Sequence, residues 1–328
     1  MNLANQMMEI DGIRRTLPLE GRTLDMVYYP ANREKGTASE KKAPLLIGFY
    51  GGGFLFGGCA MNDYMWQAIR EQLGVNVASI GYRKSPDHMW RDVLDDGYDA
   101  AVYLKEHAEE FGFDPDHISV FGCSAGASLA TRTALYAKQK GNLFFEDQIL
   151  MYPFVDMVTD PLQKGEGSLS GPIMYVFNEF HCRADEVALP LVSPVCASEE
   201  ELCGMPNTVI VLAENDCLRA EGQKYGEMLA AAGVPVHMTC MEGMPHGFFE
   251  SGFGVRGEEL EFLGEAVRSG MKDGTIAQKS QESMEFINTH LSSEQFFSRT
   301  NLSYVEKSVK ELRTGGGHSH ELIDSNEE

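Results

Sequence analysis

Hydrophobic and polar positions in this chain fall into two rhythms: short apolar or alternating runs, and longer stretches with apolar residues at helical spacing. Arg22–Tyr29 alternates apolar and polar residues before Pro30, which predicts one strand of an early hairpin. Residues 44–50 form a continuous apolar run suited to a strand buried on both faces. A helix is predicted over 62–74, a second buried strand over 75–82, and a helix over 92–111, where Val93, Leu94, Tyr98, Ala101, Val102 and Leu104 recur at helical spacing. After the Asp114-Pro115 turn come a strand at 117–121, a helix at 125–138 and a strand at 148–152 closed by Pro153. A strand at 208–213, a helix at 221–232 and a strand at 236–241 continue the series. Such alternation predicts right-handed crossovers and an α/β fold, with a mostly parallel central sheet flanked by helices.

Two regions break the rhythm. Residues 157–194 carry glycines, prolines and the apolar cluster Ile173, Met174, Tyr175, Val176, Phe177 and Phe180, which predicts a small helical cap inserted over the sheet. A lid over a site and an ordinary surface excursion both fit that pattern. Near the carboxyl end, helical character is predicted at 257–273 and 277–291, followed by a partly disordered extension over about 292–328 with a helical stretch at 304–313. A chain of 328 residues is long enough for one large domain over 1–328, which is favoured over two small ones.

Composition narrows the function. A hydrophobic content of 43% indicates a globular protein, and a net charge of -22 argues against nucleic acid or an anionic membrane surface as partner. Residues 1–15 show no secretory signal, and no run approaches the length of a membrane span. Seven cysteines, an odd number with no Cys-x-x-Cys pair, fit a reducing compartment, so the expected location is cytoplasmic. His318-Ser319-His320 sits in a Gly- and acid-rich tail and is not expected to hold a metal; neither a metal nor a cofactor is predicted.

The chemistry concentrates at predicted strand ends. Gly122-Cys123-Ser124-Ala125-Gly126 lies at a strand-to-helix junction, where a serine on a sharp turn needs small neighbours so that its hydroxyl stands clear. Gly51-Gly52-Gly53 follows a buried strand and frees backbone N–H groups for a phosphate or an oxyanion. The next residues, Phe54-Leu55-Phe56-Gly57-Gly58, lack the lysine and hydroxyl of a phosphate loop, and no acidic residue completes a dinucleotide site, which leaves an oxyanion hole. Asp216 then follows one later strand and His246 the next, and the order Ser, Asp, His is that of the α/β-hydrolase arrangement. Glu214, two residues before Asp216, is a rival for the acid.

From about residue 43 to 249 the chain resembles the hormone-sensitive-lipase-like esterases of the α/β-hydrolase fold, the group of bacterial acetyl esterases and arylacetamide deacetylase. Tyr50-Gly51-Gly52-Gly53-Phe54 is similar to that group's His-Gly-Gly-Gly, and Gly81-Tyr82-Arg83-Lys84-Ser85-Pro86-Asp87 to its Tyr-Arg-Leu-Ala-Pro-Glu. The elbow, Tyr152-Pro153, the stretch Asp216 to Gly222 and His246-Gly247-Phe248 complete the resemblance. Tyr50 replaces a histidine, Cys123 an aspartate and Ala127 a glycine, while Cys217 and Ala220 depart from the pattern around the acid. The resemblance implies Ser124 as nucleophile, His246 as general base, Asp216 as its partner, and the N–H groups of Gly52, Gly53 and Ala125 as oxyanion donors. It implies a carboxylic ester hydrolase for short- to medium-chain acyl or acetyl esters, acting on a small-molecule ester, with a homodimer left open. Amidase or arylformamidase chemistry would use the same residues, and a catalytically silent ligand-binding member of the fold is a third reading, against which His246 speaks. Phe54, Phe56, Tyr175, Phe177 and Phe180 line an acyl pocket or belong to the core.

Overall fold

In a computed structural model, residues 10–32 and 42–251 are described, all within the first of the chain's two units, Met1–Gln281. The helices and tail predicted beyond residue 251 lie outside the described residues.

The alternating hairpin residues and the buried runs pair into one eight-stranded sheet, ordered β1-β2-β4-β3-β5-β6-β7-β8. Strands β1 (Ile13–Leu19) and β2 (Arg22–Tyr29) form the antiparallel hairpin, and β2 pairs antiparallel with β4 (Asn76–Gly81). From β4 onward the sheet is parallel, through β3 (Leu45–Phe49), β5 (Ile118–Cys123), β6 (Asp147–Met151), β7 (Asn207–Asn215) and β8 (Val236–Pro245). All five residues of β3 and of β6 are buried; β3 is the continuous apolar run expected between helical layers, while β6 opens on Asp147 and Gln148, whose side chains bond Asn207 and Thr208 of β7. The helices are α1 (Asp63–Leu73), α2 (Trp90–Glu106), α3 (Ala108–Phe111), α4 (Ala125–Gln139), α5 (Gly171–His181), α6 (Glu199–Leu202) and α7 (Arg219–Ala231). Arg22 and Arg83 meet on the fully buried Asp96 of α2, at 2.6 and 2.9 Å, which ties the hairpin to the helical layer. Among the described residues, no helix is long and apolar enough to cross a membrane.

Several boundaries differ from expectation. The helix predicted over 92–111 starts at Trp90 and breaks at His107, whose ring stacks on Tyr103 and bonds its carbonyl at 2.8 Å. Helix α7 begins two residues earlier than predicted, at Arg219. Strand β8 runs on to Pro245 instead of ending near Met241, because the ends of β7 and β8 are fastened together. The Gly243 N–H donates to Glu214 at 2.7 Å, and the Asn215 side chain donates to the Gly243 carbonyl at 3.0 Å. In the 157–194 insertion, Pro161–Gln163 is a short 3-10 turn, and α5 turns Ile173, Met174, Val176, Phe177 and His181 inward.

Candidate active site

The elbow follows from close packing. Ser124 sits at φ 54° and ψ -120°, a strained conformation between β5 and α4. A Cβ on Gly122 would run into the Gly126 carbonyl, and one on Gly126 into the carbonyls of Phe49 and Tyr50, all backbone atoms that cannot step aside. The Ser124 N–H donates to the Met151 carbonyl at 2.9 Å, and its own carbonyl accepts from Ser128 N–H at 3.1 Å. Strain is thereby held by both neighbouring elements.

The structure brings the three predicted side chains together. His246 Nε2 lies 2.8 Å from Ser124 Oγ, and His246 Nδ1 lies 2.7 Å from Asp216 Oδ2. The other Asp216 oxygen accepts the Leu218 N–H at 3.0 Å, which fixes the carboxylate plane. Glu214 faces Gly243 on the exposed side and does not reach His246; Asp216 does. Burial alone would lower the His246 pKa, but the Asp216 carboxylate beside it and their hydrogen bond win, and the net direction is upward. The edge of Tyr152 packs on the imidazole with ring centroids 4.9 Å apart. The His246 N–H donates to Ser168 Oγ at 2.7 Å, and the Ser168 N–H donates to the Asn215 carbonyl at 3.0 Å. Ser168 therefore clips the loop bearing Asp216 to the loop bearing His246. No pattern in the sequence marks this serine.

The glycine loop turns back on itself over positive φ at Gly52 (118°), Gly53 (62°) and Phe54 (65°). The Gly52 carbonyl takes the N–H groups of Leu55 and Phe56 at 3.1 and 3.0 Å. Among the described residues, none accepts from the Gly52 or Gly53 N–H, and the Ala125 N–H opens α4, where a helix leaves its first donors unpaired. Tyr50, which stands in place of the group's histidine, is fully buried and stacks on Tyr82 with centroids 4.4 Å apart. Each hydroxyl bonds the other residue's carbonyl, Tyr82 to Tyr50 at 2.8 Å and Tyr50 to Tyr82 at 3.3 Å. A stacked tyrosine pair thus props the base of the loop.

Two apolar assignments are now separated. Phe54 is a core residue, stacked at 3.7 Å on His181 of α5, with Arg132 above it. The Phe177 ring instead lies against Gly53, where any Cβ would strike it, and Phe56 meets Phe177 edge-on. Cys123 and Cys217 flank the serine and the aspartate, and burial pushes both thiols up, Cys217 to about 12. All seven cysteines are unpaired. Among the described residues, no group of three or more His, Cys, Asp or Glu is placed to hold a metal ion.

A parallel sheet with a strained serine after β5, an acid after β7 and a histidine after β8 defines an α/β hydrolase. The family profile described as alpha/beta hydrolase fold matches residues 46–250, and the chain belongs to that family. It is 31% identical to the carboxylesterase NlhH of Mycobacterium tuberculosis over 62% of this chain and 66% of that one. It is 29% identical to an arylesterase of Saccharolobus solfataricus over 63% of this chain and 69% of that one. The chain spans about two thirds of the length of the curated relatives it matches. Among solved structures, the thermophilic carboxylesterase EstE1, cloned from a metagenomic library, superposes with a TM-score of 0.71 at 27% identity, covering 82% of this chain and 92% of that one.

Proposed function

We propose that this chain is a carboxylic ester hydrolase that works through an acyl-serine intermediate on small esters with short acyl groups. The observation that carries the reading is the continuous relay Ser124–His246–Asp216, at 2.8 and 2.7 Å, beside the N–H groups of Gly52 and Gly53, which have no acceptor among the described residues. Ser124 Oγ attacks the ester carbonyl while His246 Nε2 takes its proton. The carbonyl π electrons move onto oxygen, and the oxyanion is met by the N–H groups of Gly52, Gly53 and Ala125. His246 then passes its proton to the departing alcohol. A water, deprotonated by His246, attacks the acyl-serine and releases the acid. Asp216 keeps the Nδ1 proton in place and stabilises the imidazolium between transfers. The raised His246 pKa fits a base that must hold a proton during each half-reaction. Esterase relatives support the reaction class, and the Phe177 ring pressed on Gly53 supports a short acyl group, because it narrows the space above the oxyanion donors.

Hydrolysis of a chromogenic ester series from acetate to dodecanoate tests this, with Ser124→Ala in parallel. The expected result is turnover that favours the short esters and falls by about four orders of magnitude or more in the variant. Equal activity in both proteins would remove Ser124 from the mechanism, and inactivity of both would remove the reaction.

A further inference from the structure

Glu250 lies four residues beyond His246 on the turn that leaves β8, and its side chain faces back into the site. The turn is firmly seated, since Phe248 and Phe249 are buried, Phe248 against Tyr152 and Phe249 against Phe121. Its main chain closes through Ser251 N–H to the Gly247 carbonyl at 3.0 Å. Two further fixings involve the Glu250 backbone: Tyr64 of α1 donates to its carbonyl, and its N–H donates to the Tyr152 hydroxyl at 3.4 Å. The carboxylate accepts the Gly51 N–H at 2.9 Å and lies so close that a Cβ on Gly51 would strike both of its oxygens. Gly51 is the residue before the two proposed oxyanion donors of the loop. A half-buried carboxylate therefore grips the loop on one side, while the stacked Tyr50 and Tyr82 hold it on the other.

We infer that Glu250 is a positioning residue for the hydrolysis proposed above: it sets the oxyanion loop through Gly51 and places a second negative charge behind His246. The groups facing the carboxylate are Tyr64 from α1, Tyr82 after β4, Cys123 at the end of β5, Tyr152 after β6 and His246 itself. His246 is in turn faced by Asp216, Glu250 and Glu221. Burial raises the Glu250 pKa, opposed by the Gly51 N–H, by His246 and by the Tyr152 hydroxyl. The carboxylate also adds to the forces that raise the His246 pKa. One side chain thus couples the geometry of the oxyanion hole to the basicity of the histidine. This inference rests on the hydrolase reading, and its test separates the two.

The substitutions are Glu250→Ala, which removes both acceptor and charge, and Glu250→Gln, which keeps an oxygen for the Gly51 N–H and removes the charge. On a chromogenic acetate ester, Glu250→Ala is expected to lose about 100-fold in kcat with KM within about threefold, the pattern of a displaced oxyanion donor. Glu250→Gln is expected to restore most of kcat and to move the acid limb of the kcat/KM profile to lower pH, since an imidazolium loses a neighbouring anion. NMR reads the same two effects without substrate: the His246 titration moves to lower pH in Glu250→Gln, and the Gly51 amide resonance shifts in Glu250→Ala. Full kcat in Glu250→Ala, equal losses in both variants, or an unmoved His246 titration would overturn the inference. If Glu250→Ala does not fold, the Glu250→Gln titration decides alone. Wild-type protein that hydrolyses no ester while its His246 still titrates lower in Glu250→Gln would refute the hydrolase reading and leave the coupling standing.

Discussion

Replacing Asp216 by asparagine tests the relay most directly, because the structure dictates how the new side chain must sit. One Asp216 oxygen accepts the Leu218 N–H at 3.0 Å and the other faces His246 Nδ1 at 2.7 Å. In Asp216→Asn the carbonyl oxygen must take the place opposite Leu218, since the amide nitrogen there would meet a donor. The NH2 then points at His246 Nδ1, which can accept only if the imidazole carries its proton on Nε2. That tautomer presents a donor to Ser124 Oγ and cannot take its proton. The imidazolium, with its side chain only 10% exposed, also loses its counter-charge. Together these should cost on the order of 10⁴ in kcat, or about 5 kcal/mol of transition-state stabilisation. Steady-state hydrolysis of a chromogenic acetate ester, with Glu214→Gln as control, measures it. Glu214 is exposed and its side chain bonds the Gly243 N–H at 2.7 Å, away from His246, so its variant should keep activity within about threefold. The reasoning fails if Asp216→Asn stays within tenfold of wild type, or if Glu214→Gln loses as much.

Two further outcomes follow from buried groups around the site. Lys164 donates to Glu221 and to the Asp156 carbonyl, and both members of the pair are buried. Lys164→Met should cost about 1.4 kcal/mol more at pH 8 than at pH 5, because stranding the carboxylate forces it to take up a proton about one pH unit above its folded pKa. Burial already pushes the Glu221 carboxyl up to about 7, so its ionised form is disfavoured in the fold and the penalty grows as pH rises through that value. Thermal unfolding at pH 5 and pH 8 should therefore show the larger drop in Tm at pH 8, and equal drops would contradict the argument. Iodoacetamide on native protein should label the exposed Cys196 and Cys203 and leave hydrolysis intact, because the Cys123 and Cys217 thiols are buried with raised pKa values. Activity lost in step with labelling at Cys123 or Cys217, read by mass spectrometry, would show otherwise.

Much of this site is legible in the sequence because backbone constraints leave few choices. Gly122 and Gly126 are forced by contacts with fixed carbonyls, so the elbow announces itself locally, and the fully buried β3 announces itself as an unbroken apolar run. Glu214 and Asp216 could not be told apart by pattern, because residues two apart in a strand share a face. The register shift between Ala213 and Asn215 and the far end of β8 decide between them. That far end was itself hidden: Gly243 and Pro245 read as breakers, yet side chains from β7 hold the strand together through them. Phe54 fits a pocket or the core by sequence alone, and its φ of 65° turns it under His181, into the core. Ser168 and Glu250 carry no local signal at all; closures over 78 and 199 residues bring them to His246 and Gly51.

Those long closures also bear on how the site is covered. The pattern of 157–194 fits a lid or a passive excursion, and the bonds it makes tie it to the site. Its Gly167 lies on the backbone of Asp216 and Cys217 with no room for a Cβ, and Ser168 holds the His246 N–H. At the far end of α5, burial and the neighbouring Arg132 keep the His181 pKa low, so the ring is neutral. Its Nε2 then accepts from Arg132 at 2.9 Å, which leaves Nδ1–H to donate to Ser85 Oγ at 3.1 Å, and Ser85 donates onward to the His88 carbonyl at 3.1 Å. Swinging α5 away would break this chain and leave the guanidinium of Arg132, fully buried, without one of its partners, at a cost of several kcal/mol. It would also peel Phe177 from the oxyanion loop and His181 from Phe54. The insertion is therefore bonded to the frame that holds Asp216, His246 and Gly53, and Phe177 keeps its place against Gly53 only while those bonds hold.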